Sequence, residues 1–115
     1  MSQITTHVLD TAVGRPAENV EAVLYRYKDD HEEWLELGRG NTDKDGRVAD
    51  LYPYEDALPK GTYRINFDTS AYFEALNVDA FYPSVDIQFN IEGDGQHYHI
   101  PLLLAPFAYS TYRGS

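Results

Sequence analysis

Residues 85–92 read Val85-Asp86-Ile87-Gln88-Phe89-Asn90-Ile91-Glu92, a strict alternation of apolar and polar side chains. Successive side chains of an extended chain point to opposite faces, so Val85, Ile87, Phe89 and Ile91 fall on one side and the polar residues on the other. A helix would scatter the same residues around its circumference, and the stretch therefore predicts a half-buried β-strand. Residues 62–68 repeat the pattern, with Tyr63, Ile65 and Phe67 against Arg64, Asn66 and Asp68. Further out, Ile4, Thr6 and Val8 oppose Thr5, His7 and Leu9 over residues 4–10, and residues 20–27 form a run rich in β-formers. A charged turn with Asp29, Asp30, Glu32 and Glu33 leads into Trp34-Leu35-Glu36-Leu37 and reads as a solvated hairpin tip. Gly93-Asp94-Gly95 predicts a tight turn that would pair the next strand, residues 96–104, antiparallel with 85–92. A last strand runs from Phe107 to Arg113. Only residues 69–76 read helical, with Thr69 or Ser70 as cap and Tyr72, Phe73 and Leu76 at helical spacing. The whole is an all-β sandwich or barrel with one short helix.

At 115 residues the chain fits a single domain, 1–115, and its 43% hydrophobic content supplies a core. Nine basic against 19 acidic residues leave a net charge of −10. Such a surface repels phosphate backbones and anionic lipid, which argues against nucleic-acid and membrane-surface partners. No apolar run approaches the roughly 18 residues of a membrane span. With no cysteine in the chain, disulfides, thiolate zinc sites and cysteine nucleophiles are excluded, and a reducing, cytoplasmic setting is expected. The opening Met1-Ser2-Gln3-Ile4-Thr5-Thr6-His7 has neither the basic region nor the apolar stretch of an export signal. A G-x-S-x-G elbow, a phosphate loop and an H-E-x-x-H helix are all absent from the sequence, which removes serine-hydrolase, nucleotide-binding and zincin readings.

The strand over 96–104 has an unusual outer face. Tyr98, Ile100, Leu102 and Leu104 make a continuous core stripe, which turns His97, His99, Pro101 and Leu103 outward. His7 and Leu9 share the same combination on their own strand. Histidine beside outward aliphatic residues on two strands points to burial against another subunit. A strand H-x-H pair can also hold a metal, with His7 as a candidate third ligand. Asn41-x-Asp43-x-Asp45-Gly46 imitates the front half of a calcium loop, but Tyr52 stands where the bidentate Glu belongs, so a turn is the preferred reading. Arg47 follows that turn. Its guanidinium can grip a planar carbonyl or imide through two parallel hydrogen bonds, or else pair locally with Asp43 or Asp45.

Three segments together resemble the transthyretin-like family, and within it the 5-hydroxyisourate hydrolases. They are Thr6-His7-Val8-Leu9-Asp10-Thr11 with Gly14-Arg15-Pro16-Ala17, then Thr42-Asp43-x-Asp45-Gly46-Arg47, and His97-Tyr98-His99-Ile100-Pro101-Leu102-Leu103-Leu104-Ala105-Pro106 closing with Tyr112-Arg113-Gly114-Ser115. The resemblance implies a sandwich of two four-stranded sheets with one short helix, assembled as a homotetramer around a central channel. It implies hydrolysis of 5-hydroxyisourate to 2-oxo-4-hydroxy-4-carboxy-5-ureidoimidazoline in urate degradation, without a cofactor. It also implies that His7, Arg47 and His99 carry the reaction while Tyr112, Arg113, Gly114 and Ser115 bind the substrate. Three other readings stay open: a small-ligand carrier without catalysis, a metal-dependent site built on the histidines, and a purely structural sandwich domain.

Overall fold

The computed structural model describes residues 3–114. In chain order the elements are β1 (Ile4–Asp10), β2 (Arg15–Pro16), β3 (Glu21–Lys28), β4 (Glu33–Asn41), β5 (Arg47–Val48), β6 (Gly61–Phe67), α1 (Thr69–Ala75), β7 (Val85–Ile91), β8 (Tyr98–Ala105) and β9 (Ala108–Thr111). One sheet runs β4-β3-β6-β7, antiparallel throughout; the other runs β2-β1-β8-β9, with β5 added alongside β1. The two sheets and one short helix make the transthyretin-like sandwich expected from the sequence. The two-residue strands β2 and β5 are additions, since two residues carry no period to read. Both lie along the edge of β1 away from β8, where Leu9 faces Pro16 and His7 faces Arg47.

Alternation places the core where the sequence put it. Ile4 and Val8 from β1, Ala22 and Leu24 from β3, Tyr63, Ile65 and Phe67 from β6, and Ile100 and Leu102 from β8 are buried between the sheets. The stripe Tyr98, Ile100, Leu102, Leu104 is buried throughout. On the outer face of the antiparallel sheet, Arg64 lies between the Tyr25 and Trp34 rings at 4.6 and 4.5 Å, closing that surface by cation–π contact.

The structure corrects the expected 85–104 hairpin. β8 does not pair with β7: it crosses to the other sheet and lies parallel to β1, from Ile4 opposite Tyr98 to Asp10 opposite Leu104. Gly93 and Gly95, at φ of 86° and 78°, swing residues 92–97 out of one sheet and into the other rather than folding back in a two-residue turn. The helix start also differs. Asp68 is the N-cap, its carboxylate accepting from Ala71 N at 3.3 Å, while Thr69 is buried and the Ser70 hydroxyl donates to the Pro83 carbonyl. Phe73 reaches the core, but Leu76 is the C-cap and stands half exposed.

Behind the helix, the buried Asp10 accepts from the Tyr72 hydroxyl at 2.7 Å and from Ala12 N at 3.0 Å. A carboxylate withdrawn from water needs such donors, and here they pin α1 to the end of β1.

Candidate active site

β1 is the spine of the site because it is paired on both sides. Its parallel register with β8 sets Thr5 opposite His99 and His7 opposite Pro101; its antiparallel register with β5 sets His7 opposite Arg47. Residues directly opposed in a ladder share a face, so Thr5, His7, Arg47 and His99 come together on the outer side of one sheet. A shallow cleft of about 220 Å³ there is lined by Thr5, Arg47, His97 and His99 among others.

The loop before β5 aims Arg47. Asp43 Oδ1 accepts from the backbone N–H groups of Asp45 at 2.9 Å and Arg47 at 3.0 Å, and Gly46 N donates to the Asp43 carbonyl. Those donors hold the Asp43 carboxyl below its ordinary value, the Arg47 backbone contributing most. These bonds close the segment into a compact turn, as the sequence predicts. Gly46 sits at φ +78° and presses against β1: a Cβ there would lie 2.4 Å from the Val8 carbonyl oxygen and 3.3 Å from the His7 ring. Among the described residues the Arg47 side chain makes no ion pair, so the local pairing with Asp43 or Asp45 is not formed.

The imidazoles are individually oriented. His7 Nε2 lies 2.9 Å from the Asp45 carbonyl oxygen; a carbonyl only accepts, so this nitrogen carries the proton and Nδ1 is the free lone pair of neutral His7. His99 Nδ1 lies 2.8 Å from Thr5 Oγ, and His97 Nε2 lies 2.9 Å from the same oxygen. The two rings stand 6.4 Å apart and nearly parallel. Burial above all, and then the nearby Arg47 guanidinium, push the pKa of His99 below its ordinary value. The shift favours the neutral imidazole. No partner for its Nε2 occurs among the described residues.

The closing segment completes the wall. Gly114 forms an isolated antiparallel bridge to His99, its N–H donating to the His99 carbonyl at 2.9 Å. A Cβ at Gly114 would meet His99 Cδ2 at 2.6 Å, so only a residue without a side chain fits this close to the imidazole. Arg113 is committed elsewhere: its guanidinium stacks on the Tyr98 ring at 4.5 Å and donates to Gln96 Oε1 at 2.6 Å, anchoring the segment. Tyr112 is largely exposed. Ser115 lies outside the described residues. Thr5 and Gly46 are site residues that sequence reasoning did not single out. Thr5 was legible only as a neighbour of His7 on its face, and Gly46 only as part of the turn. Among the described residues, no three His, Asp or Glu side chains gather into a group able to hold a metal ion, so His7 does not close on the His97–His99 pair within this chain.

A profile of the HIUase/Transthyretin family matches residues 4–114, and the chain belongs to that family. Within it, the chain is 46% identical over 112 residues to the 5-hydroxyisourate hydrolase of Salmonella dublin, covering 97% of this chain and 80% of that one. The structure of Klebsiella pneumoniae 5-hydroxyisourate hydrolase superposes with a TM-score of 0.82 at 35% identity, covering 97% of this chain and 98% of that one. The crystal structure of transthyretin from Sparus aurata superposes with a TM-score of 0.91 at 30% identity, covering 99% and 97%. Backbone likeness alone does not separate these two, so the functional reading must rest on side chains. Among the described residues no helix is long and apolar enough to cross a membrane.

Proposed function

We propose that this chain, as a single domain over residues 1–115, hydrolyses 5-hydroxyisourate to 2-oxo-4-hydroxy-4-carboxy-5-ureidoimidazoline in urate degradation. One observation carries the reading: His7, Arg47 and His99 converge on one sheet face in a chain 46% identical to a hydrolase of that name.

The chemistry needs a base for water, a partner for the developing oxyanion, and contacts that orient a planar heterocycle. His99 is the base. Its Nδ1 is occupied by Thr5, so Nε2 is the atom that takes the proton, and the lowered pKa keeps it unprotonated near neutral pH. Arg47 carries a permanent charge and forms no ion pair among the described residues. It grips the substrate carbonyl and steadies the negative charge that builds as the tetrahedral intermediate forms. His7, with Nε2–H bound to Asp45, offers Nδ1 to a ring N–H. Tyr112 and Gly114 form a wall beside His99 and Arg113 anchors it; Ser115 is assigned to substrate binding in the same reading. The ring amide is electrophilic enough that no cofactor is required.

The active assembly in this reading is a homotetramer with sites at the subunit interface. Support comes from β9, a free edge strand bordered by the exposed aromatics Phe107, Tyr109 and Tyr112. The cysteine-free sequence supports a cytoplasmic setting. The test adds purified protein to freshly made 5-hydroxyisourate and follows its ultraviolet absorbance against spontaneous decay. Decay no faster than the blank at micromolar protein rejects the function.

A further inference from the structure

The contact that the reaction above does not explain is the shared one at Thr5. One hydroxyl oxygen lies within hydrogen-bond distance of both His97 Nε2 and His99 Nδ1, at 2.9 and 2.8 Å. A hydroxyl has one proton to give, so it cannot donate to both rings; at least one imidazole must donate to it. Two arrangements satisfy every group. In the first, His99 Nδ1–H donates to Thr5 Oγ and the Thr5 O–H donates to His97 Nε2. In the second the chain runs the other way, and His99 carries its proton on Nε2. Only the first leaves a lone pair on the nitrogen that meets the cleft.

We propose that Thr5 is a positioning residue, whose hydroxyl, held as a donor by His97, fixes His99 in the Nδ1–H tautomer and keeps its Nε2 lone pair free for water. This rests on His99 being the base. His97 is the acceptor that gives the hydroxyl its direction, which assigns a role to the first histidine of the H-x-H pair without a metal. The geometry is suited to it. β1 and β8 are parallel and in register at Thr5 and His99, the strand pair is central in its sheet, and the Gly114 backbone closes the other side of the His99 ring. The ring therefore has little freedom to turn over, which would put Cδ2 in place of Nδ1 against Thr5.

The direct readout is the tautomer itself. Long-range ¹H–¹⁵N correlation on histidine-labelled protein should give His99 a protonated Nδ1 and a bare Nε2, and His97 a bare Nε2. In Thr5→Val, which keeps shape and removes the hydroxyl, His99 should shift towards the Nε2–H form. The kcat should then fall about tenfold or more, a portion of the 10²–10⁴ that a general base supplies, with KM little changed. His97→Phe should act in the same direction, and Thr5→Ser should restore most of the loss. The proposal is overturned if wild-type His99 carries its proton on Nε2, or if Thr5→Val leaves both tautomer and kcat unchanged. The base assignment fails separately: His99→Ala retaining turnover would refute it even with the Nδ1–H tautomer in place. Should Thr5→Val not fold, the wild-type spectrum and the Ser variant still decide.

Discussion

Adding one methyl group at Gly114 isolates the steric contribution of the closing segment. The new Cβ would lie 2.6 Å from His99 Cδ2 and 3.2 Å from Cγ, whereas ordinary contact begins at 3.4 Å. Restoring a favourable separation requires a displacement of about 1 Å. It can be taken by the imidazole or by the closing segment that carries Gly114. If the imidazole moves, Nε2 leaves its position relative to the attacked carbon, and an error of about 1 Å at a reacting group can cost roughly 100-fold in rate. If the closing segment moves, the Gly114–His99 hydrogen bond is lost, a net cost of about 1 kcal/mol. Neither route touches the core between the sheets. Gly114→Ala is therefore expected to lower kcat/KM on 5-hydroxyisourate by roughly 100-fold while Tm drops by no more than about 5 °C. Initial rates from the ultraviolet decay and a thermal melt measure both. Wild-type turnover in a well-folded variant would refute the idea that this backbone holds the imidazole in place.

Arg47→Ala should cost about 10²–10³-fold in kcat/KM with little change in Tm, because the side chain is exposed and unpaired; Lys at this position should recover little, lacking the planar fork. Gly46→Ala should destabilise by on the order of 3 kcal/mol in a denaturant titration, since φ +78° and the Val8 carbonyl both oppose a side chain. In pH–rate profiles, activity should persist below the ordinary histidine value of 6.5 and fall only as pH passes the depressed pKa of His99. Linkage has the same origin. As pH drops below 6.5 the unfolded chain binds a proton that folded His99 does not, so stability should decline with falling pH over that interval. A bend above pH 7 that disappears in His99→Ala would contradict the direction of the shift. Tyr72→Phe should cost about 2 kcal/mol by leaving buried Asp10 without its hydroxyl donor, with turnover of the folded protein unaffected.

Periodicity alone was enough to read most strands, the buried stripe of β8 and the outward orientation of His7 and His99, because alternation is a local property of the chain. The turn before Arg47 was legible from its Asp-x-Asp-Gly composition. What periodicity could not supply was pairing. A Gly-Asp-Gly sequence is compatible with a tight hairpin or with a crossing between sheets, and only burial of β8 beside β1 selects the crossing. Arg47 reaches the site through a two-residue strand too short to carry a pattern. Thr5 meets His97 and His99 across more than ninety residues of sequence, and Gly114 meets His99 because the chain returns to the same sheet. Local chemistry thus determined which faces were apolar and which side chains looked outward. Which outward side chains stand within hydrogen-bonding distance of one another was decided by long-range strand register, an outcome of packing the two sheets together that no short window of sequence contains.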